Sequence, residues 1–133
     1  MNPNYPQIAL RAMHRCEYCR APEAMFNFPF EVEHINPISE GGEDQESNLT
    51  LSCRSCNLFK GTFVLAIDPQ TNLSVDLFNP RRDVWHEHFE VHLETGEIVG
   101  LTSRGRSTTV RLNMNSSAQI SARRQWMRLG LFP

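Results

Sequence analysis

Four cysteines in two pairs, Cys16-Glu17-Tyr18-Cys19 and Cys53-Arg54-Ser55-Cys56, constrain this chain more than any other feature. A C-x-x-C pair sets two thiolates on one turn, where both can bind a single ion. Two such pairs complete a tetrahedral S₄ shell. Soft sulfur donors select zinc over magnesium or calcium. A redox C-x-x-C needs no second pair, and four unrelated buried cysteines need no paired spacing. The expectation is therefore a structural Zn²⁺ on Cys16, Cys19, Cys53 and Cys56, with all four positions filled by sulfur and none left for water. Closing that shell ties off the 33-residue loop 20–52, which contains Glu33, His34 and Asn48, and Asn57 follows the last cysteine directly. A small core positions such residues poorly without a metal clamp.

The 133 residues suit a single domain, 1–133. No window approaches the ~18 apolar residues needed to span a membrane. The opening "MNPNYPQIALRAMHRCEYC" lacks the apolar core of a secretory signal. A cytoplasmic protein with no membrane contact is expected, in which four cysteines serve a metal rather than disulfides. Net charge is −2, which argues against a generic nucleic-acid binder, but the distribution is uneven. Residues 1–80 hold five Lys/Arg against ten Asp/Glu, whereas 101–133 hold Arg104, Arg106, Arg111, Arg123, Arg124 and Arg128 with no acid. That run reads equally as an anion-binding face or as arginines covering apolar surface with their stems.

The patterning predicts a small α+β fold. "QIALRAMHRC" has helical spacing and leads into the first knuckle. "FEVEHI" is a strand, "SEGGEDQESN" a polar loop, and "LTLSC" a short extended segment. "CRSCNLFKG" is a knuckle entering a helix that Gly61 weakens or stops. "LAIDPQTNLSVDLFNP" reads as two strands about a Pro-containing turn, and "FEVHLETGEIVGLT" as a hairpin turning at Thr95-Gly96. "GRSTTVRLNMN" fits helix or strand equally. "SSAQISARRQWMRLG" reads as a helix with a serine N-cap and Gly130 at its stop.

Within "FEVEHINP", Glu33 and His34 stand side by side, and neighbours on a strand face opposite ways. With its surroundings, "EVEHINPISEGGEDQESNLTLSCRSCNLFKG" resembles the HNH endonucleases, the ββα-metal nucleases with a C-x-x-C…C-x-x-C shell. Glu33-His34 matches the first motif element. Asn48, 14 residues after His34, matches the second, and Asn57, 23 residues after it, the third. Pro37, Gly41-Gly42, Asn48-Leu49 and Lys60 fit as well. Downstream, "LFNPRRDVWHEHF", "GEIVGLTSRGRSTTVRLNMN" and "RRQWMRLGLFP" resemble the tail of small stand-alone HNH proteins. The resemblance implies a zinc-stabilised ββα-metal core over about 8–62 and a C-terminal extension, about 63–133, with an added β-hairpin and helix.

It further implies a metal-dependent endonuclease acting on DNA. His34 would be the general base that activates water, Glu33 and Asn57 the ligands of a catalytic divalent ion, and Asn48 a backbone clamp behind His34. Two departures stand out: Glu33 where aspartate is common, and Asn57 where histidine is common. Both offer oxygen, which favours Mg²⁺ or Mn²⁺ over a second zinc. Lys60, Arg81 and Arg82 are candidate phosphate contacts; the plainer readings are a solvated lysine and ion pairs to Asp83 or Glu87. His86 and His88 would share one strand face, either as a second metal site or packed beside Trp85 and Phe89. No separate base-reading module is visible, so specificity is low or comes from a protein partner. The competing class is a non-catalytic zinc-knuckle module that binds nucleic acid or protein, which has no need of Glu33, His34 and Asn57 together.

Overall fold

Pro6 sits in the first turn of helix α1 (Tyr5–Arg11), where its missing N–H leaves no bond unmade. Ile8 and Ala9 bury one side of this helix. It stops well short of Cys16, because Met13 and His14 take φ of 53° and 54° and break the helical path. The computed structural model describes all of Met1–Pro133. Strand β1 (Glu31–His34) pairs antiparallel with β2 (Leu49–Ser52), placing Glu33 opposite Thr50 and His34 opposite Leu49. Helix α2 (Arg54–Lys60) follows at once and packs on β1, completing a ββα unit. Every residue of β2 is buried, so this strand is the spine of the unit.

The extension begins with a hairpin, β3 (Leu65–Ile67) and β4 (Ser74–Asp76), about a Pro-containing turn as the sequence suggests. A second hairpin, β5 (Phe89–Val91) and β6 (Ile98–Gly100), turns through Gly96 at φ 82°. The ambiguous "GRSTTVRLNMN" is helical: α4 (Ser103–Arg111) is capped by Thr102, whose Oγ1 accepts from the Gly105 N–H at 3.0 Å. Helix α5 (Ser117–Arg128) is capped by Ser116 in the same way, and Gly130 follows at φ 73°.

The histidines of "WHEHF" do not lie on a strand, which corrects the shared-face expectation. Trp85–His88 form a short helix, α3, in which residues two apart point away from each other. His86 packs edge-on against Trp85, while His88 shares a hydrogen with Thr102 Oγ1 (2.7 Å) and meets the Phe78 ring. Trp85 donates its indole N–H to the Tyr18 carbonyl at 2.7 Å, fastening the extension to the first knuckle. One apolar cluster runs from Ile8 in α1 through Leu49 and Leu51 in β2 to Phe89, Leu112, Trp126 and Phe132.

Most of the acid-free arginine run is spent inside the fold. Arg104 pairs with Asp83 (2.8 Å), Arg106 grips Asp68 through two 2.9 Å bonds, and Arg111 lies 3.9 Å over the Phe63 ring. Arg123 is fully buried and donates to the carbonyls of Gly96 (2.6 Å) and Met114 (2.5 Å). Arg124 and Arg128 remain exposed, one turn apart on α5.

The Arg106 fork holds the Asp68 carboxyl well below the usual carboxylate range, against the opposing effect of burial. A carboxylate depressed in the folded state stabilises fully above its unfolded value, about pH 4, and that contribution fades as pH falls toward the folded value. Asp68→Asn is expected to lower the urea midpoint at neutral pH and to flatten its decline below about pH 4. A gap between wild type and variant that stays constant from neutral to acid pH would refute this account.

Candidate active site and metal centre

The sulfurs of Cys16, Cys19, Cys53 and Cys56 all lie within 4.8 Å of one another, and Cys19 and Cys53 are 3.8 Å apart. A tetrahedron with Zn–S bonds of about 2.3 Å has edges of about 3.8 Å, so donor set and spacing both fit a structural zinc. All four cysteines are buried, and none is in a disulfide. The first knuckle closes through the Arg20 N–H on the Cys16 carbonyl (2.9 Å), with Arg20 at φ 69°. The second doubles as a helix cap, since Cys53 Sγ accepts from the Cys56 N–H at 3.4 Å. Burial opposes ionisation of Cys16, but hydrogen bonds from the other three cysteines pull its thiol well below the ordinary range.

The ladder carries Glu33 and His34 to opposite faces. Glu33 turns inward and is 8% exposed, while His34 stays partly open to solvent. Glu33 Oε1 lies 4.0 Å from Lys60 Nζ and has no hydrogen-bond partner. Burial pushes its carboxyl up to about 7, although Lys60 and Tyr18 both act to lower it. Lys60 is neither solvated nor at the surface: 1% exposed, it donates to the Ile35 carbonyl at 3.0 Å. Burial lowers its pKa, and Glu33 works against that shift. The helix period contains the signal for this placement. Lys60 is four residues after buried Cys56 and so shares its face. Asn57 lies three residues before Lys60, half-buried, its N–H bonded to the Cys53 carbonyl at 2.9 Å.

Asn48 is a backbone clamp by geometry. Its Oδ1 accepts from the Asn36 N–H (2.9 Å), and its Nδ2 donates to the carbonyls of Asn36 (2.9 Å) and Glu43 (2.8 Å). It therefore joins the end of β1 to the Gly41-Gly42 loop. Gly42 packs so closely there that an added Cβ would fall 1.8 Å from the Asn36 carbonyl oxygen. The loop delivers Asp44, whose Oδ1 is 2.9 Å from His34 Nε2. Asp44 escaped the motif reading, although an acid ten residues beyond His34 in a glycine-turned loop was visible in the chain.

Arg81 and Arg82 part company. Arg81 forms an ion pair with Glu17, not with Asp83 or Glu87, while Glu17 Oε2 also accepts from Thr50 Oγ1 (2.7 Å) and the Leu51 N–H (2.9 Å). Arg82 is exposed and lines a groove of about 340 Å³ with Asn36, Lys60 and Asn79. This groove separates the end of β1 from the stretch after β4, so the extension supplies its second wall.

Cys53→Ser removes one ligand and the thiolate cap of α2 together. Zinc per protein, read by elemental analysis, is expected to fall well below one, and the circular-dichroism melting transition should broaden or vanish. A folded variant that keeps its full metal would rule out the S₄ shell.

Comparison with curated proteins gives no match, and none is found among solved structures. Comparison with family models does: residues 16–63 match the model described as HNH endonuclease. The match starts at the first ligand cysteine, ends just beyond α2, and takes in Glu33, His34, Asn48, Asn57 and Lys60. With its cysteine cluster and ββα unit, the segment 16–63 thus matches the HNH endonuclease family model, and that model leaves the rest of the chain uncovered.

Proposed function

We propose that the protein is a metal-dependent endonuclease that hydrolyses phosphodiester bonds of DNA. The observation carrying this reading is the division of labour on β1. A half-open histidine and an inward carboxylate with an unpartnered oxygen occupy adjacent positions beside α2. His34 is the general base, taking a proton from the attacking water. Glu33 and Asn57 provide oxygen donors for a divalent ion. The Glu33 oxygen without a hydrogen bond supports that assignment: it is a buried acceptor whose desolvation Lys60, at 4.0 Å, offsets only in part. Lys60, beyond hydrogen-bond reach, lowers the cost of the negative charge without saturating the carboxylate. Bound there, Mg²⁺ or Mn²⁺ supplies Lewis acidity toward the scissile phosphate and the leaving 3′ oxygen. Asn48 holds the strand end on which His34 sits.

Among the basic candidates, Arg82 is the one the groove leaves free for a phosphate. Arg81 is held by Glu17, and Lys60 is an interior charge that shapes the groove floor. Specificity is low or comes from a protein partner. A structural Zn²⁺ in the cysteine shell holds this arrangement. Four cysteines used as ligands fit the reducing cytoplasm, and no helix is long and apolar enough to cross a membrane. The competing reading is a non-catalytic knuckle that binds nucleic acid or protein, and its protein-binding form draws support from the net charge of −2 and from the arginines spent on internal partners.

Nicking of supercoiled plasmid with Mg²⁺ or Mn²⁺ separates the two. His34→Ala is expected to lower the rate at least about 100-fold with zinc content unchanged; equal cleavage by variant and wild type would end the assignment. Arg82→Ala should weaken DNA binding across sequences and reduce the salt slope of log K by about one. An unchanged slope would take Arg82 out of the interface.

A further inference from the structure

The loop between β1 and β2 is built to bring a carboxylate to the imidazole of His34. Asn48 binds the Glu43 carbonyl, the residue next to Asp44, and holds it to Asn36, two residues beyond His34. Gly41, at φ 87°, makes the turn, and Gly42 donates its N–H to the Pro37 carbonyl at 2.9 Å, in a place where no side chain fits. The product of these contacts is the 2.9 Å approach of Asp44 Oδ1 to His34 Nε2.

Resting on the nuclease reading, we propose that Asp44 is the positioning residue for His34, fixing both the orientation of the ring and which nitrogen acts as the base. An ionised carboxylate only accepts hydrogen bonds. The shared hydrogen therefore sits on Nε2, and Nδ1 is left as the unprotonated nitrogen. In the reaction, the water oxygen bonds to phosphorus as the bond from phosphorus to the 3′ oxygen breaks. The water proton passes to Nδ1, and the departing oxygen takes its proton from solvent. The imidazolium so formed keeps its Nε2–H on Asp44, whose negative charge stabilises it. Asp44 touches neither substrate nor ion; it acts through His34. Its side chain is 68% exposed, so replacing it disturbs little packing.

The test uses the full, zinc-loaded chain and two readouts. In plasmid nicking, Asp44→Ala should lower kcat by about 10- to 100-fold while KM stays within about twofold. Asp44→Glu should recover part of the loss, and Glu43→Ala should change neither constant. In ¹⁵N-detected imidazole spectra at alkaline pH, wild-type His34 should show a protonated Nε2 and a bare Nδ1. Asp44→Ala should show a mixture of both tautomers. An unchanged tautomer in Asp44→Ala overturns the proposal whatever the activity, as does an unchanged kcat in an active protein. A wild type with the expected tautomer that cuts no DNA removes the nuclease reading and reduces the contact to a loop latch.

Discussion

Four sulfur atoms within 4.8 Å of one another close the chain between its two knuckles, and the site is assembled outward from that closure. Each knuckle also carries a non-metal contact that extends its reach. Glu17, inside the first, receives hydrogen bonds from β2 and the ion pair of Arg81, so it binds the ladder and the extension at once. Cys53, at the second, caps α2 and thereby sets where Asn57 and Lys60 fall. A metal in that shell would close a 33-residue loop and so remove much of its conformational freedom. That matters in a fold whose sheets are three separate two-stranded ladders, since such pairs are marginal alone.

Electrostatics in this molecule is largely an interior matter. Lys60 and Glu33 face each other between β1 and α2, and each shifts the other's ionisation against the push of burial. Arg106 and Asp68 lock the start of α4 to the first extension hairpin, while Arg104 reaches Asp83 and Asp76. Charge counted along the chain therefore overstates what reaches solvent. Two arginines of the acid-free run, Arg104 and Arg106, are struts to acids distant in sequence, and Arg111 and Arg123 are held by a ring and by backbone carbonyls.

Much of the fold was legible because its signals are local. Paired cysteine spacing, the Thr95-Gly96 turn, the serine cap of α5 and the strand alternation around Val32 each act over a few residues. The ββα motif was readable in the same way, through fixed intervals from His34. What escaped depends on three-dimensional partners. Helix α4 has no strong apolar period, and its four consecutive polar or β-branched residues Ser107–Val110 gave no clear sign; tertiary packing on β6 decides it. Trp85–His88 form a helical turn from which the Trp85 indole reaches the Tyr18 carbonyl, 67 residues away, a contact no local pattern encodes. The Arg81–Glu17 pair spans 64 positions and left no trace in local pattern. Asp44 is intermediate: its distance along the chain was readable, but its approach to His34 rests on Asn48 and a side-chain-free Gly42.

Arg123 links the metal site to the far end of the chain. Its guanidinium is buried in α5, and its charge is felt by all four cysteines, which offset part of the cost of burying it. Four thiolates around Zn²⁺ leave about two negative charges in that interior. Arg123 places a positive charge beside that shell, and its own bonds run to the carbonyls of Gly96 and Met114. On the same helix Trp126 packs between Phe26 and Phe132, so the segment that carries this buried cation also closes the end of the apolar cluster. The C-terminal helix is thereby tied to the cysteine cluster by charge as well as by apolar packing.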